Sequence, residues 1–133
     1  MSYLFDTNAI IHLMKVRDPI ATRARNAGPS AIVVCTITLA ELWYGAARSR
    51  RPTRSRAEQD VALAPFRVVD FDGAAADRYA TVRAHLAEQG RPIGDRDLMI
   101  AAIALANRMT VVTSNISEFT RVPGLEVEDW MAP

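Results

Sequence analysis

The chain has 133 residues, half of them apolar, and its 16 basic and 15 acidic side chains leave a net charge of +1. That size and composition suit a single domain over residues 1–133 with its own core, and the longest apolar runs, such as 31–35, are far too short to cross a bilayer. Acidic Asp6 interrupts what would be the apolar part of a secretion signal, and the lone Cys35 cannot form an internal disulfide, so a cytoplasmic protein is expected.

The elements follow one another in a strand–helix rhythm. Residues 3–5 read as a short strand closed by Asp6. A helix is expected over 8–15, with Ile10, Ile11 and Met14 on one side. A second follows over 19–26, where Pro19 suits a helix start. A strand over 31–36 leads into a helix over 38–48, and another helix spans 54–63. Next come a strand over 67–71 and a helix over 74–89, in which Tyr79, Val82 and Leu86 recur at spacings of three and four and Gly90 marks the stop. A helix over 97–108, a strand over 110–113 and a weak strand over 125–128 complete the series. This alternation argues for an α/β fold: a three-layer sandwich with a mainly parallel, twisted sheet of four to five strands flanked by helices.

Three acids stand where apolar segments begin or end: Asp6, Glu41 and Asp97. In open parallel sheets, ligands bind outside the carboxyl ends of the strands. Asp6 closes the first strand, Glu41 enters from the helix after the second, and Asp97 opens the helix that leads into the fourth. Ser114 and Asn115 lie just past the end of that fourth strand. Topology, rather than proximity along the chain, would bring these groups together.

Each acid also has a plainer role open to it. Asp6 can cap the first helix, Thr38-x-x-Glu41 has the form of a capping box, and Asp95 or Asp97 can favour a helix N-terminus. Gathered at one rim, however, carboxylates repel one another and raise their own pKa values unless a cation joins them. An all-oxygen donor set points to Mg²⁺ or Mn²⁺ over zinc. His12 and His85 stand alone on their helices, and no serine nucleophile elbow, glycine-rich phosphate loop or CxxC pair is present.

Five arginines, Arg48, Arg50, Arg51, Arg54 and Arg56, crowd one short stretch. Beside an acidic pocket they would suit a phosphate-backbone substrate. A solvated surface in an arginine-rich chain is the competing explanation, and composition does not separate the two.

Four segments, taken together, resemble a PIN domain. They are Leu4-Phe5-Asp6-Thr7-Asn8, Thr38-Leu39-Ala40-Glu41-Leu42-Trp43-Tyr44-Gly45, the run from Arg91 to Ala102 around Gly94-Asp95-Arg96-Asp97, and Val111-Val112-Thr113-Ser114-Asn115. With the closing Glu118-Phe119-Thr120-Arg121 and Glu128-Asp129-Trp130, the chain is similar to VapC-type toxins of bacterial toxin–antitoxin pairs along nearly its whole length. The resemblance implies a metal-dependent endoribonuclease restrained by a VapB-like antitoxin. It assigns the acidic positions to Asp6, Glu41 and Asp97. A fourth acidic position falls on Asn115, a departure, so Asn115 or nearby Glu118 is expected to complete the metal site. Thr7, Asn8 and Ser114 are expected to orient the acids by hydrogen bonds.

The expected reaction is hydrolysis of RNA, a transfer RNA anticodon loop above all, by a water activated at a carboxylate-held Mg²⁺. Ile10, Ile11, Leu13 and Met14 are candidates for a homodimer or antitoxin contact, with core packing as their competing fate. The rival functions are a catalytically silent RNA-binding module and an antitoxin-binding protein whose acids merely cap helices.

Overall fold

Five short strands, none longer than four residues, form one parallel sheet in the computed structural model, which describes residues 1–133. In chain order the elements are β1 (Tyr3–Phe5), α1 (Thr7–Met14), α2 (Ile20–Ala27), β2 (Ile32–Cys35), α3 (Thr36–Ala47), α4 (Pro52–Leu63), β3 (Arg67–Val69), α5 (Gly73–Glu88), α6 (Asp95–Asn107), β4 (Thr110–Val112), α7 (Ile116–Phe119) and β5 (Val127–Glu128). The strand order is β3-β2-β1-β4-β5. The chain therefore builds outward from β1 on one side, then crosses back and builds outward on the other.

Alternation along the strands divides the core into two layers. Leu4, Val33, Cys35 and Val111 face α5 and α6, packing with Val82, Leu86, Ile100 and Ile103. Their neighbours Phe5, Ile32, Val34 and Val112 face the other way, against Ile10 and Ile20 of the first two helices and Leu42 and Leu63 of the next two. Both faces of the sheet are covered, which is why these strands read as unbroken apolar runs. Each fully buried aliphatic side chain contributes about 1.5–3 kcal/mol. Trp130 closes the second layer, its ring 4.8 Å from Tyr3 and 5.2 Å from Phe5, with its Nε1 donating to Glu128.

The three-layer parallel sandwich expected from the alternation is present, with shifted boundaries. Helix α3 starts at Thr36, two residues early, because Cys35 is still extended and β2 passes directly into the helix. Helix α4 opens with Pro52 in its first turn rather than at Arg54. Helix α6 begins at Asp95, with Gly94 ahead of it, so Asp97 lies in the first turn. Gly90 ends α5 as expected: at φ +64° it lets its own N–H reach Ala87 and that of Arg91 reach Leu86. The single turn α7 carries no periodic signal of its own and was not expected.

Candidate active site

The sheet reverses direction of growth between β1 and β4, and at such a switch point the loops leaving the two strands part and open a crevice. Asp6 stands at the end of β1 and is only 5% exposed. One of its oxygens, Oδ1, accepts from the N–H of Ala9 at 2.8 Å and so caps α1. The other, Oδ2, accepts from the hydroxyl of Thr113 at 2.5 Å, just past β4. Thr113 is held in turn by the backbone N–H of Asn115, 2.9 Å from its Oγ1. Asp6 thus caps a helix and also ties the two strands of the switch point together.

Glu41 reaches the same place from α3. Because α3 starts at Thr36, Thr38 and Glu41 lie within the helix and form no capping box. Glu41 Oε1 instead accepts from Thr7 at 2.6 Å, and its Oε2 lies 3.4 Å from Arg96. The segment leaving β1 and the first turn of α6 therefore meet on this one carboxylate.

Asp97 enters from the first turn of α6. Asn115 donates from Nδ2 to Asp97 Oδ2 at 3.0 Å and to Glu118 Oε2 at 2.9 Å. Two carboxylates can only accept, so the amide nitrogen must face them. Asn115 thus joins Asp97 to Glu118 through its amide nitrogen.

The electrostatics bind these pieces into one site. Burial raises the pKa of Asp6, and the charge of Glu41 raises it further, against the hydrogen bonds from Thr113 and Ala9. Asp97 is pushed up to about 6 by burial first, then by the shared hydrogen bond with Glu118 and the charges of Asp6 and Glu118. Burial first, with neighbouring charges adding to it, makes Asp6 and Asp97 resist ionisation, a condition that a cation relieves. No three acidic, histidine or cysteine side chains stand close enough together to hold a metal ion between them. An open set of carboxylate oxygens fits a hard divalent ion that keeps much of its water shell.

Two of the expected orienting residues fall elsewhere. Asn8 is exposed, and its side chain hydrogen-bonds none of the acids. Ser114 turns to Asp129 at 3.1 Å, away from the site. Thr7 hydrogen-bonds Glu41. Arg54 and Arg56 pair with Glu58 and Asp60 along α4, and the Arg56 guanidinium sits 3.8 Å over the Trp43 ring. Arg48 bonds the hydroxyl of Tyr44, while Arg50 and Arg51 are exposed and unpaired. Ile10 is fully buried, and with Leu13, Met14, Val16, Leu63 and Phe66 it lines an apolar groove of about 410 Å³. The site residues missed from sequence are Thr113 and Arg96. Their only signal was a hydroxyl at a strand end and a cation between two acids.

Comparison with known proteins gives the family. Residues 3–125 match the PIN domain family. The chain is 40% identical over 131 residues to a tRNA(fMet)-specific endonuclease VapC of Shigella flexneri, covering 98% of both chains. It is 37% identical to the enzyme of the same description from Salmonella typhimurium, again across 98% of both. Among solved structures it is similar to the toxin-length chain in DNA-bound VapBC of Salmonella typhimurium, with a TM-score of 0.91, 37% identity and 98% of both chains covered. VapBC2 of Rickettsia felis, bound to promoter DNA, gives a TM-score of 0.90 at 32% identity, covering 98% of this chain and 99% of that one. PIN-domain nucleases as a group use a divalent metal. The chain belongs to the PIN-domain family, within its VapC ribonucleases.

Proposed function

We propose that this chain is the toxin of a toxin–antitoxin pair and hydrolyses transfer RNA within an unpaired loop, the anticodon loop above all. The observation that carries the reading is the shared edge of Asp6, Glu41 and Asp97, whose charges act on one another at the switch point of the sheet. The specificity for tRNA(fMet) in the names of two relatives makes initiator tRNA the first substrate to assay.

The ion we assign is Mg²⁺, with Mn²⁺ as a substitute. Asp6 and Asp97 would hold it, with Glu41 joining directly or through water, and Glu118 beside them. When bound, such an ion neutralises the scissile phosphate and makes a bound water acidic. The rest falls to the chain's own groups. Thr113 and Ala9 keep both oxygens of Asp6 in place, and Asn115 holds Asp97 beside Glu118. Arg96, its side chain 71% exposed, has donors to spare for an RNA phosphate. Arg50 and Arg51, with Arg48, are the arginines best placed to grip flanking backbone, since Arg54 and Arg56 are engaged on α4.

Neither histidine hydrogen-bonds a site acid: His12 accepts from Arg17, and His85 is exposed on α5. The reading is therefore attack by water rather than by the ribose 2′-hydroxyl, leaving a 5′-phosphate and a 3′-hydroxyl. A VapB-like antitoxin is the proposed partner, with the groove at Leu13 and Met14 as its candidate seat, in a cytoplasmic complex of homodimeric toxin. No helix is long and apolar enough to cross a membrane.

The deciding experiment is expression of the parent chain and Asp97→Asn, with mapping of RNA ends and a chelator control. Joint loss of growth arrest and cleavage is expected. Cleavage by Asp97→Asn, or 2′,3′-cyclic ends from the parent, would overturn the reading.

A further inference from the structure

Thr38 is a polar residue with no surface to serve. It lies inside α3 and is fully buried, yet it keeps a hydroxyl. A threonine within a helix commonly spends its hydroxyl on a carbonyl one turn back. Thr38 makes no such bond. Its Oγ1 lies 3.3 Å from Thr7 Oγ1 and 3.7 Å from the Sγ of Cys35.

The direction of these bonds follows from counting protons. Glu41 can only accept, so the single hydroxyl proton of Thr7 goes to it, across 2.6 Å. The oxygen of Thr7 is then free to accept, and the only hydroxyl beside it is that of Thr38. The oxygen of Thr38 accepts in turn from the Cys35 thiol. A second buried hydroxyl, that of Thr38, thus lies 3.3 Å from the one that bonds Glu41. A glutamate has three rotatable bonds, which leaves Glu41 more freedom than the two aspartates of the site. Its other oxygen meets only the exposed Arg96. The buried series is what gives Glu41 one defined position.

We propose that Thr38 is a positioning residue for Glu41, acting through Thr7, and that this accounts for a hydroxyl kept in the core. The inference rests on the proposed role of Glu41 in metal-dependent cleavage. Its test uses the full-length chain as Thr38→Val, Thr38→Ser, Thr7→Val and the Thr7→Val/Thr38→Val double variant. Mn²⁺ affinity is measured by calorimetry without RNA, and kcat and KM are measured on an RNA hairpin with an unpaired loop.

Thr38→Val should lose about tenfold in Mn²⁺ affinity and about tenfold in kcat, as groups that orient metal ligands do. KM for RNA should stay within about twofold, since the RNA-facing groups are untouched. Thr38→Ser should restore both. The double variant should be no worse than Thr7→Val alone, because residues acting in series do not add. Parent-like Mn²⁺ binding by Thr38→Val, failure of Thr38→Ser to restore it, or additive losses would each overturn the proposal. Should Thr38→Val not fold, Thr38→Ala in the parent and Thr7→Val backgrounds carries the same comparison. A parent chain that neither binds Mn²⁺ nor cuts RNA would fail at the earlier step and sink the proposed function with it.

Discussion

Asp97→Asn should make the metal-free protein more stable above neutral pH while removing cleavage. Asp97 holds its proton up to about 6 in the folded chain, against an ordinary value of 3.8. Between those values the folded state binds more protons than the unfolded one, so stability falls as pH rises. The stabilisation from the bound proton is fully present below the unfolded value and lost once pH passes about 6. At about 1.4 kcal/mol per tenfold change in proton affinity, the interval corresponds to about 3 kcal/mol. Asp97 is only half-buried, and solvent screening reduces this to about 1 kcal/mol.

Asparagine carries no charge and still offers a carbonyl to the Asn115 amide, so the substitution removes the repulsion and keeps the hydrogen bond. In chelator, the melting temperature of Asp97→Asn should exceed that of the parent by about 3 °C at pH 7.5. The two should converge below pH 4. Comparing variant with parent at each pH cancels the titration of the other acids. Added Mg²⁺ should reverse the order, stabilising the parent by about 2.7 kcal/mol at a hundredfold excess over its Kd and the variant hardly at all. A difference that does not change with pH, or a parent more stable than the variant at pH 7.5 without metal, would refute the reasoning.

Thr113→Val leaves Oδ2 of buried Asp6 without its donor, and should cost about 1–3 kcal/mol by thermal melting, together with activity. Asn115→Asp replaces the donor between Asp97 and Glu118 by a third negative group. It should lower metal-free stability by about 1–2 kcal/mol and tighten Mn²⁺ binding in calorimetry; tightening without destabilisation would mean that the amide was not holding the acids. Asp6→Ala should lose about 1 kcal/mol with the α1 cap, whereas Asp6→Asn keeps an oxygen for Ala9 and should melt within a few degrees of the parent, with cleavage lost in both.

The fold was legible because the strands are buried on both faces. Runs such as 31–36 and 110–113 announce themselves by apolar continuity, and Gly90 and Pro19 punctuate the helices. Boundaries were less legible where two elements abut without a turn. Cys35 passes straight into Thr36, so no loop residue marks the start of α3, and the Thr38–Glu41 spacing offered a false helix start two residues late. The lone turn α7 is too short for any period to show.

The site was legible in its acids but not in their partners, for a reason that lies in the strand order. Nothing in residues 110–113 says that β4 pairs with β1 rather than extending the sheet beyond β3. Only that pairing brings Thr113 to Asp6, 107 positions away along the chain, at the edge where the charge of Glu41 bears on Asp6 and that of Asp6 on Asp97. Charged groups at strand ends are visible one at a time, since each interrupts an apolar run. Neutral groups such as Thr38 and Thr113 interrupt nothing, because a threonine fits a buried strand or helix almost as well as a valine until its proton is counted. The acids are therefore readable from composition and position, while the hydrogen bonds that aim them depend on which strands are neighbours and appear only once the chain is folded.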